Sequence, residues 1–522
     1  MSDDRFLRPT MIAFAVLALV RLVVAGLTPM TQDEAYYLVW SSALDWGYYD
    51  HPPLIAWINW VTNLVPGSAL DGRRGSMVAA ARAVWFTAGL ARRVGLDDRN
   101  SYLAGLVLAS FSAYVILSGA LTTPDAVLIA TWAAALHEAA AALGGDRRRW
   151  LTAGLVTGIG LVGKYMMVLI GPVFLWAILA CDRKALRTPW PWLGGVVALL
   201  VFAPHLVWNA DNQWVSIRMQ LQHGFAGGHD PGFTIRSDLP APEGRHGLPD
   251  EEKQSPGDRA SQVLSYLGGL LGLWGLLVPI VIWRGVAVLR RSAVARAGDA
   301  ALRPLLHAAA WVPIGFFGLV SLVSEVQSNW AGMALIGWGL LLAGFGRERL
   351  KWVVTGAAAN ALLFAGLGIY AASPGLMSPT RDRILHETYG WRALADRAAA
   401  LDGPVLTDRE QPTSVIRFYH PELEVAQWPR LTQPSEFVRR AEWQFHDLAS
   451  LQEAGGFWLV GTKVRPKHLA GFDRREVTEL HACLGRDELV ERPHRGDSAD
   501  APPCAEMTVH VWYLHRYQAP GR

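Results

Sequence analysis

Long apolar segments recur along the first 372 residues of the chain, and polar stretches separate them. Each segment is roughly long enough to cross a hydrocarbon core of about 30 Å at about 1.5 Å per helical residue. They cover residues 10–29, 76–95, 101–120, 122–143, 150–163, 165–181, 189–209, 262–285, 304–323, 329–346 and 350–371. The pattern predicts an α-helical polytopic membrane protein with about eleven to thirteen transmembrane helices.

Residues 150–181 divide least clearly in this pattern. Lys164 lies between two short apolar runs, so the stretch is either two helices or one long, tilted helix. Basic residues distinguish these alternatives, because cytoplasmic loops of membrane proteins are enriched in Lys and Arg. A single helix would place the basic cluster Arg290–Arg303 outside the cell, so two helices are predicted.

The same rule orients the whole chain, with its N-terminus in the cytoplasm. Basic residues gather in the predicted inner loops 91–100, 144–149, 182–187, 284–303 and 347–351. The outer side then receives a first loop, 31–75, a second long loop, 211–260, and everything after Ala372. The second loop is rich in Gly, Pro and charge from Gly227 to Asp258, which predicts a mobile segment.

Residues 373–522 have a different character, because charged residues return and apolar runs shorten. Strands are predicted at Pro404–Thr407, Gly456–Val460 and Met507–Tyr513, and helices at His386–Ala400 and Ser435–Leu451. This mixture predicts a small extracytoplasmic α/β domain that follows a transmembrane domain of residues 1–372. Cys483 and Cys504 either pair in an oxidising compartment or remain two thiols.

Composition agrees with a membrane protein and excludes several other classes. Hydrophobic residues make up 51% of the chain and charged residues 18%, and the 23 Trp suit a membrane–water interface. A net charge of +3 without a dense basic stripe argues against a nucleic-acid partner. The three cysteines, Cys181, Cys483 and Cys504, do not have the spacing of a zinc or iron–sulfur site.

The first outer loop holds the most informative motif, which reads TQDEAYYLVWSSALDWGYYDHPPLIAW over residues 31–57. Asp33 and Glu34 follow the first membrane helix directly, where carboxylates are solvated at little cost. A polar helix cap followed by an aromatic belt accounts for much of this sequence. It does not account for the acid, the imidazole and the two prolines of Asp50-His51-Pro52-Pro53.

This loop resembles the first outer loop of GT-C glycosyltransferases. The resemblance is to bacterial enzymes like the dolichyl-phosphate-mannose–protein mannosyltransferases (family 39 type), with the lipid A aminoarabinose transferase as a relative. Weaker matches follow in the family's order at Leu121–Asp125, Gly163–Tyr165, Pro204–Asn209, Gln222–Gly224 and Asn329–Trp330. The resemblance spans residues 10 to about 420 and implies a GT-C fold in the bacterial plasma (inner) membrane.

The resemblance implies transfer of a monosaccharide from a polyprenyl-phosphate donor to an extracytoplasmic lipid, glycan or protein. Asp33 becomes the catalytic carboxylate and Asp125 its partner, with Glu34 as a further candidate. Asp50 and His223 become candidate ligands of a divalent metal ion.

Elementary chemistry agrees with this reading. An inverting transfer needs a base for the acceptor hydroxyl and positive charge for the departing phosphate. His51, Lys164, Arg73, Arg74 or a divalent cation are the candidates for that charge. The lipid A aminoarabinose transferase has a Lys at the position of His51.

Structural explanations exist for the same residues. Asp125 follows Pro124 in the first turn of a helix, where a carboxylate is favoured by the helix dipole. Lys164 can extend its ammonium group to the membrane interface.

A transporter or flippase of lipid-linked sugars is the alternative function, since charges within membrane segments also mark transport paths. A third possible function is that of a sensor or assembly scaffold, in which residues 373–522 would be the functional domain.

Overall fold

The computed structural model describes residues 4–225 except residue 66, together with 239–240, 256–283, 300–372, 382–494, 504 and 507–520. The expected mobile stretch from Gly227 to Asp258 lies largely outside the described residues. The helices before residue 373 are α1 (Asp4–Leu27), α2 (Gln32–Trp40), α3 (Leu54–Thr62), α4 (Ala69–Arg93), α5 (Arg99–Ser110), α6 (Ala113–Ser118), α7 (Pro124–Leu143), α8 (Arg149–Gly163), α9 (Ile170–Cys181), α10 (Trp190–Asp211), α11 (Val215–Phe225), α12 (Pro256–Gly272), α13 (Gly275–Trp283), α14 (Arg303–Val320), α15 (Ala334–Leu341) and α16 (Gly346–Ala372).

Several of these helices are suited to a membrane. Within the described residues, α1, α7, α10, α14 and the Leu350–Ala372 part of α16 are long and apolar enough to span a bilayer. Helices α12 and α13 form a sixth candidate that is bent by 93°. Large side chains such as Leu200, Leu319 and Leu362 are 67, 70 and 74% exposed, as expected for surfaces that face lipid.

The predicted polytopic helical fold is confirmed, whereas the number of spans remains a prediction. Besides the bent segment at 262–285, two predicted spans are interrupted in the structure. The segment 101–120 divides at Phe111-Ser112 into α5 and α6, because the Ser112 hydroxyl caps a new helix. The segment 329–346 begins with a 3₁₀ turn, Ser328–Ala331, ahead of α15.

The predicted division at Lys164 is confirmed. Helix α8 ends at Gly163, Lys164 adopts an extended backbone with φ −156° and ψ 133°, and a 3₁₀ helix, Tyr165–Leu169, leads into α9. Helix α8 packs closely on α10, where a Cβ atom at Gly154 would overlap the backbone of Gly194. Close approach through small residues is a common form of helix packing in membranes.

The C-terminal region folds around a mixed sheet. Its strands are β1 (Val405–Thr407), β2 (Val425–Gln427), β3 (Gly456–Gly461), β4 (His468–Leu469), β5 (Phe472–Cys483), β6 (Val490–Pro493) and β7 (Thr508–Gln518). The order is β2-β1-β3-β7-β5-β4, with β6 on β5. Strands β2, β1 and β3 are parallel, while β3, β7 and β5 are antiparallel. The predicted α/β domain and its three strands are therefore confirmed.

The helices of this domain differ from the prediction. They are α17 (Arg383–Thr388), α18 (Trp391–Ala399), α19 (Glu410–Tyr419), α20 (Glu436–Arg439) and α21 (Leu448–Glu453). The predicted helix His386–Ala400 is broken at Gly390, which has a φ of 78°. The predicted helix Ser435–Leu451 is wrong, since the chain leaves the helical conformation at Arg440 and Asp447 caps a separate helix.

Cys483 and Cys504 form a disulfide, with their Cα atoms 5.7 Å apart. The bond closes a sequence separation of 21 residues at the end of β5. Replacing both cysteines with Ser is expected to destabilise the C-terminal domain by about 3 kcal/mol, because the unfolded chain gains conformational entropy. Thermal unfolding followed by tryptophan fluorescence measures the change. A Cys181→Ser variant is the control, because Cys181 takes no part in this bond.

The C-terminal domain packs directly on the loop of residues 31–75. One apolar cluster contains Tyr36, Trp40, Ile55, Phe437 and Trp443, so the loop and the domain share a core. Helix α20 and the residue that follows it add three hydrogen bonds between the domain and the loop. The Tyr49 amide donates to the Glu436 carboxylate at 2.7 Å, the Glu436 amide donates to the Tyr36 hydroxyl at 2.8 Å, and Arg440 donates to Asp45 at 2.8 Å.

Candidate active site

Helix α2 determines which acids of the first loop face the site. Thr31 caps the helix, accepting a hydrogen bond from the Glu34 amide at 3.3 Å, and the Glu34 carboxylate accepts one from the Thr31 amide. Asp33 and Tyr37 are four residues apart and therefore share one face of the helix. Glu34 lies about 100° further round and is directed into the protein.

The Asp33 carboxylate is accessible to solvent within a recess. The side chain is exposed, yet burial raises its pKa to about 6, so protein surrounds most of the carboxylate. Nearby Glu387, Glu410 and Glu34 raise the pKa further, and Arg383 opposes them. In the described part of the chain, no hydrogen bond or ion pair engages this carboxylate. Asp33 is thus available to accept a proton.

Tyr37 marks where three of the predicted acids converge. Its hydroxyl is buried, and the charges of Asp33, Asp50 and Asp125 all add to burial in raising its pKa. The charge of Asp33 also contributes to the raised pKa of Asp50. The His51 ring lies 5.9 Å from the Tyr37 ring. The structure therefore brings Asp33, Asp50, Asp125 and His51 around one tyrosine.

Asp50 differs from Asp33 in its protonation. Burial raises the pKa of Asp50 to about 8, although a hydrogen bond of 2.7 Å from the Tyr36 hydroxyl opposes the shift. Burial therefore favours the protonated form of Asp50 more strongly than the protonated form of Asp33. Two neighbouring carboxyl groups with separated pKa values are typical of sites that move protons.

Asp125 and Lys164 form a buried ion pair beside this recess. The Lys164 Nζ donates to Asp125 Oδ1 at 2.8 Å, and the Tyr114 hydroxyl donates to the same oxygen at 2.6 Å. The two charged side chains are 6 and 12% exposed. The break between α8 and α9 places Lys164 where its ammonium group reaches the first turn of α7. Two of the three ammonium N–H groups lie beyond this contact with Asp125.

Glu34 and Arg73 form a second ion pair, and this one is completely buried. Arg73 Nη2 lies 2.5 Å from Glu34 Oε2, and neither side chain has any exposed surface. Arg73 also donates to the carbonyl oxygens of Ala25, Thr28 and Pro29 at 2.8, 2.6 and 3.0 Å. This placement argues against the expected catalytic role of Glu34 and phosphate-binding role of Arg73. The pair instead joins the end of α1 to α2 and α4.

Arg74 is accessible to solvent, but its guanidinium group is paired with an acid of the same helix. Its side chain is 50% exposed and forms an ion pair with Asp71, one turn earlier on α4. No contact in the described residues brings it to Asp33 or Lys164. Its expected role in phosphate binding remains a prediction.

The expected metal ligands are only partly described. One Asp50 oxygen accepts the Tyr36 hydroxyl, and the side chain of His223 lies outside the described residues. The described residues hold no group of three or more His, Cys, Asp or Glu side chains arranged for a metal ion. A divalent cation at Asp50 and His223 therefore stays a prediction.

Known proteins resemble this chain over most of its length. The family described as dolichyl-phosphate-mannose-protein mannosyltransferase matches residues 50–208. The lipid A galacturonosyltransferase RgtD of Rhizobium johnstonii is 25% identical over 394 residues, which are 72% of this chain and 73% of the relative. The lipopolysaccharide core galacturonosyltransferase RgtA of the same organism is 29% identical over 188 residues, 34% of this chain and 37% of the relative.

The similarity in fold covers more of the chain than the similarity in sequence. The crystal structure of ArnT from Cupriavidus metallidurans bound to undecaprenyl phosphate matches with a TM-score of 0.59 at 14% identity, covering 94% of this chain and 99% of that one. The family match, the galacturonosyltransferase relatives and the matching fold together support a GT-C glycosyltransferase. The family resemblance, the GT-C fold and the membrane location predicted from the sequence are confirmed. Orientation and the kind of membrane remain predictions.

Two acids that influence the pKa of Asp33 are not recognisable from the sequence. Glu387 accepts a hydrogen bond of 3.0 Å from Gln32, the residue before Asp33, and Glu410 begins α19. Both belong to the C-terminal domain, and no local pattern in the sequence connects them with the first loop. Tyr37 belongs to the motif of residues 31–57, where an aromatic belt accounts for it equally well.

The raised pKa of Asp33 predicts the pH dependence of the glycosyltransferase. Only the ionised carboxylate can accept a proton, so kcat/KM is expected to rise about tenfold per pH unit below about 6 and to level off above it. A Glu387→Gln substitution removes a charge that raises this pKa, so the inflection is expected to move to lower pH. Initial rates measured from about pH 4 to about pH 8 test both expectations. A profile that is unchanged by Glu387→Gln would contradict the assignment.

Proposed function

We propose that this GT-C glycosyltransferase moves a monosaccharide from a polyprenyl-phosphate donor to an extracytoplasmic acceptor, with inversion at the anomeric carbon. The observation that carries the proposal is the accessible Asp33 carboxylate in a recess beside the buried Lys164–Asp125 pair. This arrangement provides a base and a cation next to helices that are suited to a membrane. A donor with a polyprenyl tail can reach such a site from the lipid.

Asp33 acts as the general base in this proposal. Its carboxylate takes the proton of an acceptor hydroxyl while the hydroxyl oxygen attacks the anomeric carbon. The bond from that carbon to the phosphate oxygen breaks, and its electron pair leaves with the phosphate. One displacement produces one inversion, and the products are a glycoside and polyprenyl phosphate.

Lys164 stabilises the charge of the departing phosphate. One of its three N–H groups is held by Asp125, which leaves two that can donate to phosphate oxygens. Low exposure of the pair limits competition from water and strengthens the electrostatic interaction. Asp125 then has a positioning role, because it and Tyr114 hold the ammonium group in place.

The relatives supply a more specific donor and acceptor. Two of them are named as galacturonosyltransferases of lipid A and of the lipopolysaccharide core, and the matching ArnT structure holds undecaprenyl phosphate. These names favour a hexuronic acid as the sugar and a lipopolysaccharide component as the acceptor. They favour a transferase over the transporter or flippase that was considered as an alternative.

Reconstitution tests the proposal directly. Purified full-length protein in liposomes receives undecaprenyl-phosphate galacturonic acid and lipid A, and the products are separated by mass spectrometry. The expected result is galacturonosyl lipid A together with undecaprenyl phosphate. A Lys164→Met variant is expected to lower kcat/KM for the donor, while Lys463→Met, at an exposed position of the C-terminal domain, leaves it unchanged. Movement of intact donor across the bilayer without any transfer would overturn the proposal.

A further inference from the structure

A second cavity lies between the first outer loop and the C-terminal domain. Its volume is about 260 Å³, and its lining includes Val39, Ser42, Trp60, Asn63, Arg417 and Phe418. We call it the Arg417 pocket. A water molecule occupies roughly 30 Å³ in the liquid, so the pocket has room for a small headgroup.

The Arg417 pocket is separate from the catalytic recess. Leu38 and Val39 line the pocket from α2, the helix that also carries Asp33. At about 100° per residue, they lie roughly 140° and 240° round the helix from Asp33. The recess and the pocket are therefore on different sides of the same helix.

Arg417 supplies a positive charge that the described residues do not neutralise. Its guanidinium lies 4.6 Å from the Trp443 ring, 5.1 Å from the Phe445 ring and 5.4 Å from the Phe437 ring. In the described part of the chain it makes no hydrogen bond or ion pair, and its Nη1 is sealed from solvent without a partner. Aromatic faces attract the cation but leave its N–H groups unsatisfied.

Asn63 presents a second unsatisfied group in the same pocket. Its Oδ1 is buried and lacks a hydrogen-bond partner in the described residues. Arg417 and Asn63 come from different domains and do not bond to each other. A ligand that accepts a hydrogen bond from Arg417 and donates one to Asn63 would satisfy both.

The rim of the pocket has the character of a membrane contact. The last turn of α3 and the residues after it expose four large apolar side chains. Trp60, Val61, Leu64 and Val65 are 62, 63, 71 and 54% exposed. Two of the pocket-lining residues, Trp60 and Asn63, belong to this same segment. Large apolar side chains exposed together mark a contact with lipid or protein, and this chain is a membrane protein.

We propose that the Arg417 pocket binds the phosphate of an anionic phospholipid whose headgroup carries a hydroxyl. Arg417 donates to the phosphate oxygens, the headgroup hydroxyl donates to Asn63 Oδ1, and the acyl chains lie along Trp60, Leu64 and Val65. The apolar rim favours a membrane lipid over a soluble phosphate. The proposal does not depend on the sugar-transfer reaction, because the pocket lies outside the catalytic recess.

Lipid binding by the full-length protein tests this assignment. The protein is placed in phosphatidylcholine nanodiscs that contain a small fraction of phosphatidylglycerol, and retained lipid is measured by native mass spectrometry. Arg417→Met is expected to weaken phosphatidylglycerol binding about tenfold, as for the loss of a charge-assisted hydrogen bond. Arg392→Met is the matched control, since Arg392 lies 5.4 Å from the Tyr419 ring but is 74% exposed.

Two further arms identify the ligand. Asn63→Ala is expected to remove the preference for phosphatidylglycerol over phosphatidic acid, which lacks the headgroup hydroxyl, and it leaves the aromatic rings around Arg417 untouched. Glycerol 3-phosphate is expected to compete only weakly with the lipid. Equal lipid retention by the wild type, Arg417→Met and Asn63→Ala would overturn the proposal. Displacement of the lipid by glycerol 3-phosphate at equal concentration would overturn its membrane source.

Discussion

Asp33→Asn is expected to lower the kcat of sugar transfer about a thousandfold, because an amide cannot accept the proton of the acceptor hydroxyl. The substitution keeps the size of the side chain, and the described residues make no hydrogen bond or ion pair to this carboxylate that would be lost. Donor binding is therefore expected to change little. Initial rates with undecaprenyl-phosphate galacturonic acid, together with binding of the donor, measure the two effects separately.

The control for Asp33→Asn is an exposed acid of the C-terminal domain. Asp396 belongs to α18, and its side chain is 55% exposed. Asp396→Asn is expected to retain the wild-type rate. Full activity of Asp33→Asn with an intact fold would exclude Asp33 as the base.

Arg73→Met is expected to destabilise the protein by about 3–5 kcal/mol, which is typical when one member of a buried ion pair is removed. Glu34 would keep its charge in a site with no exposed surface. The carbonyl oxygens at the end of α1 would also lose their donor. Thermal unfolding of the detergent-solubilised protein, followed by tryptophan fluorescence, measures the loss.

Two variants separate the buried pair from general effects of charge. Arg392→Met removes a surface ion pair with Asp396, in which the two side chains are 74 and 55% exposed, and is expected to cost no more than about 1 kcal/mol. The double variant Glu34→Gln, Arg73→Met is expected to be more stable than Arg73→Met, because no unpaired charge remains. A double variant that is less stable than Arg73→Met would contradict this explanation.

Local sequence patterns carried most of the information about the helices and the first loop. Basic residues in inner loops predicted the break at Lys164, because their effect on topology is independent of distant packing. The motif of residues 31–57 identifies both of the adjacent acids Asp33 and Glu34 as candidates. Their positions differ by about 100° on α2, so packing rather than sequence determines which one faces the recess and which one pairs with Arg73.

Long-range contacts could not be predicted in the same way. Glu387 and Glu410 approach Asp33 only because the C-terminal domain packs on the first loop through the shared core around Phe437. The false helix Ser435–Leu451 has a related cause. Arg440 leaves the helical conformation where its side chain pairs with Asp45 of the first loop, so a tertiary contact accompanies the end of a local element.

The position of Glu387 and Glu410 has a consequence for the evolution of the enzyme. The proton affinity of Asp33 depends on acids carried by a different domain, which is joined to the first loop through a common core. Exchanging that domain between related transferases would alter the acidity at which the recipient works, even if every residue of its membrane region were kept. The pH at which the enzyme works is thereby inherited in part with its C-terminal domain.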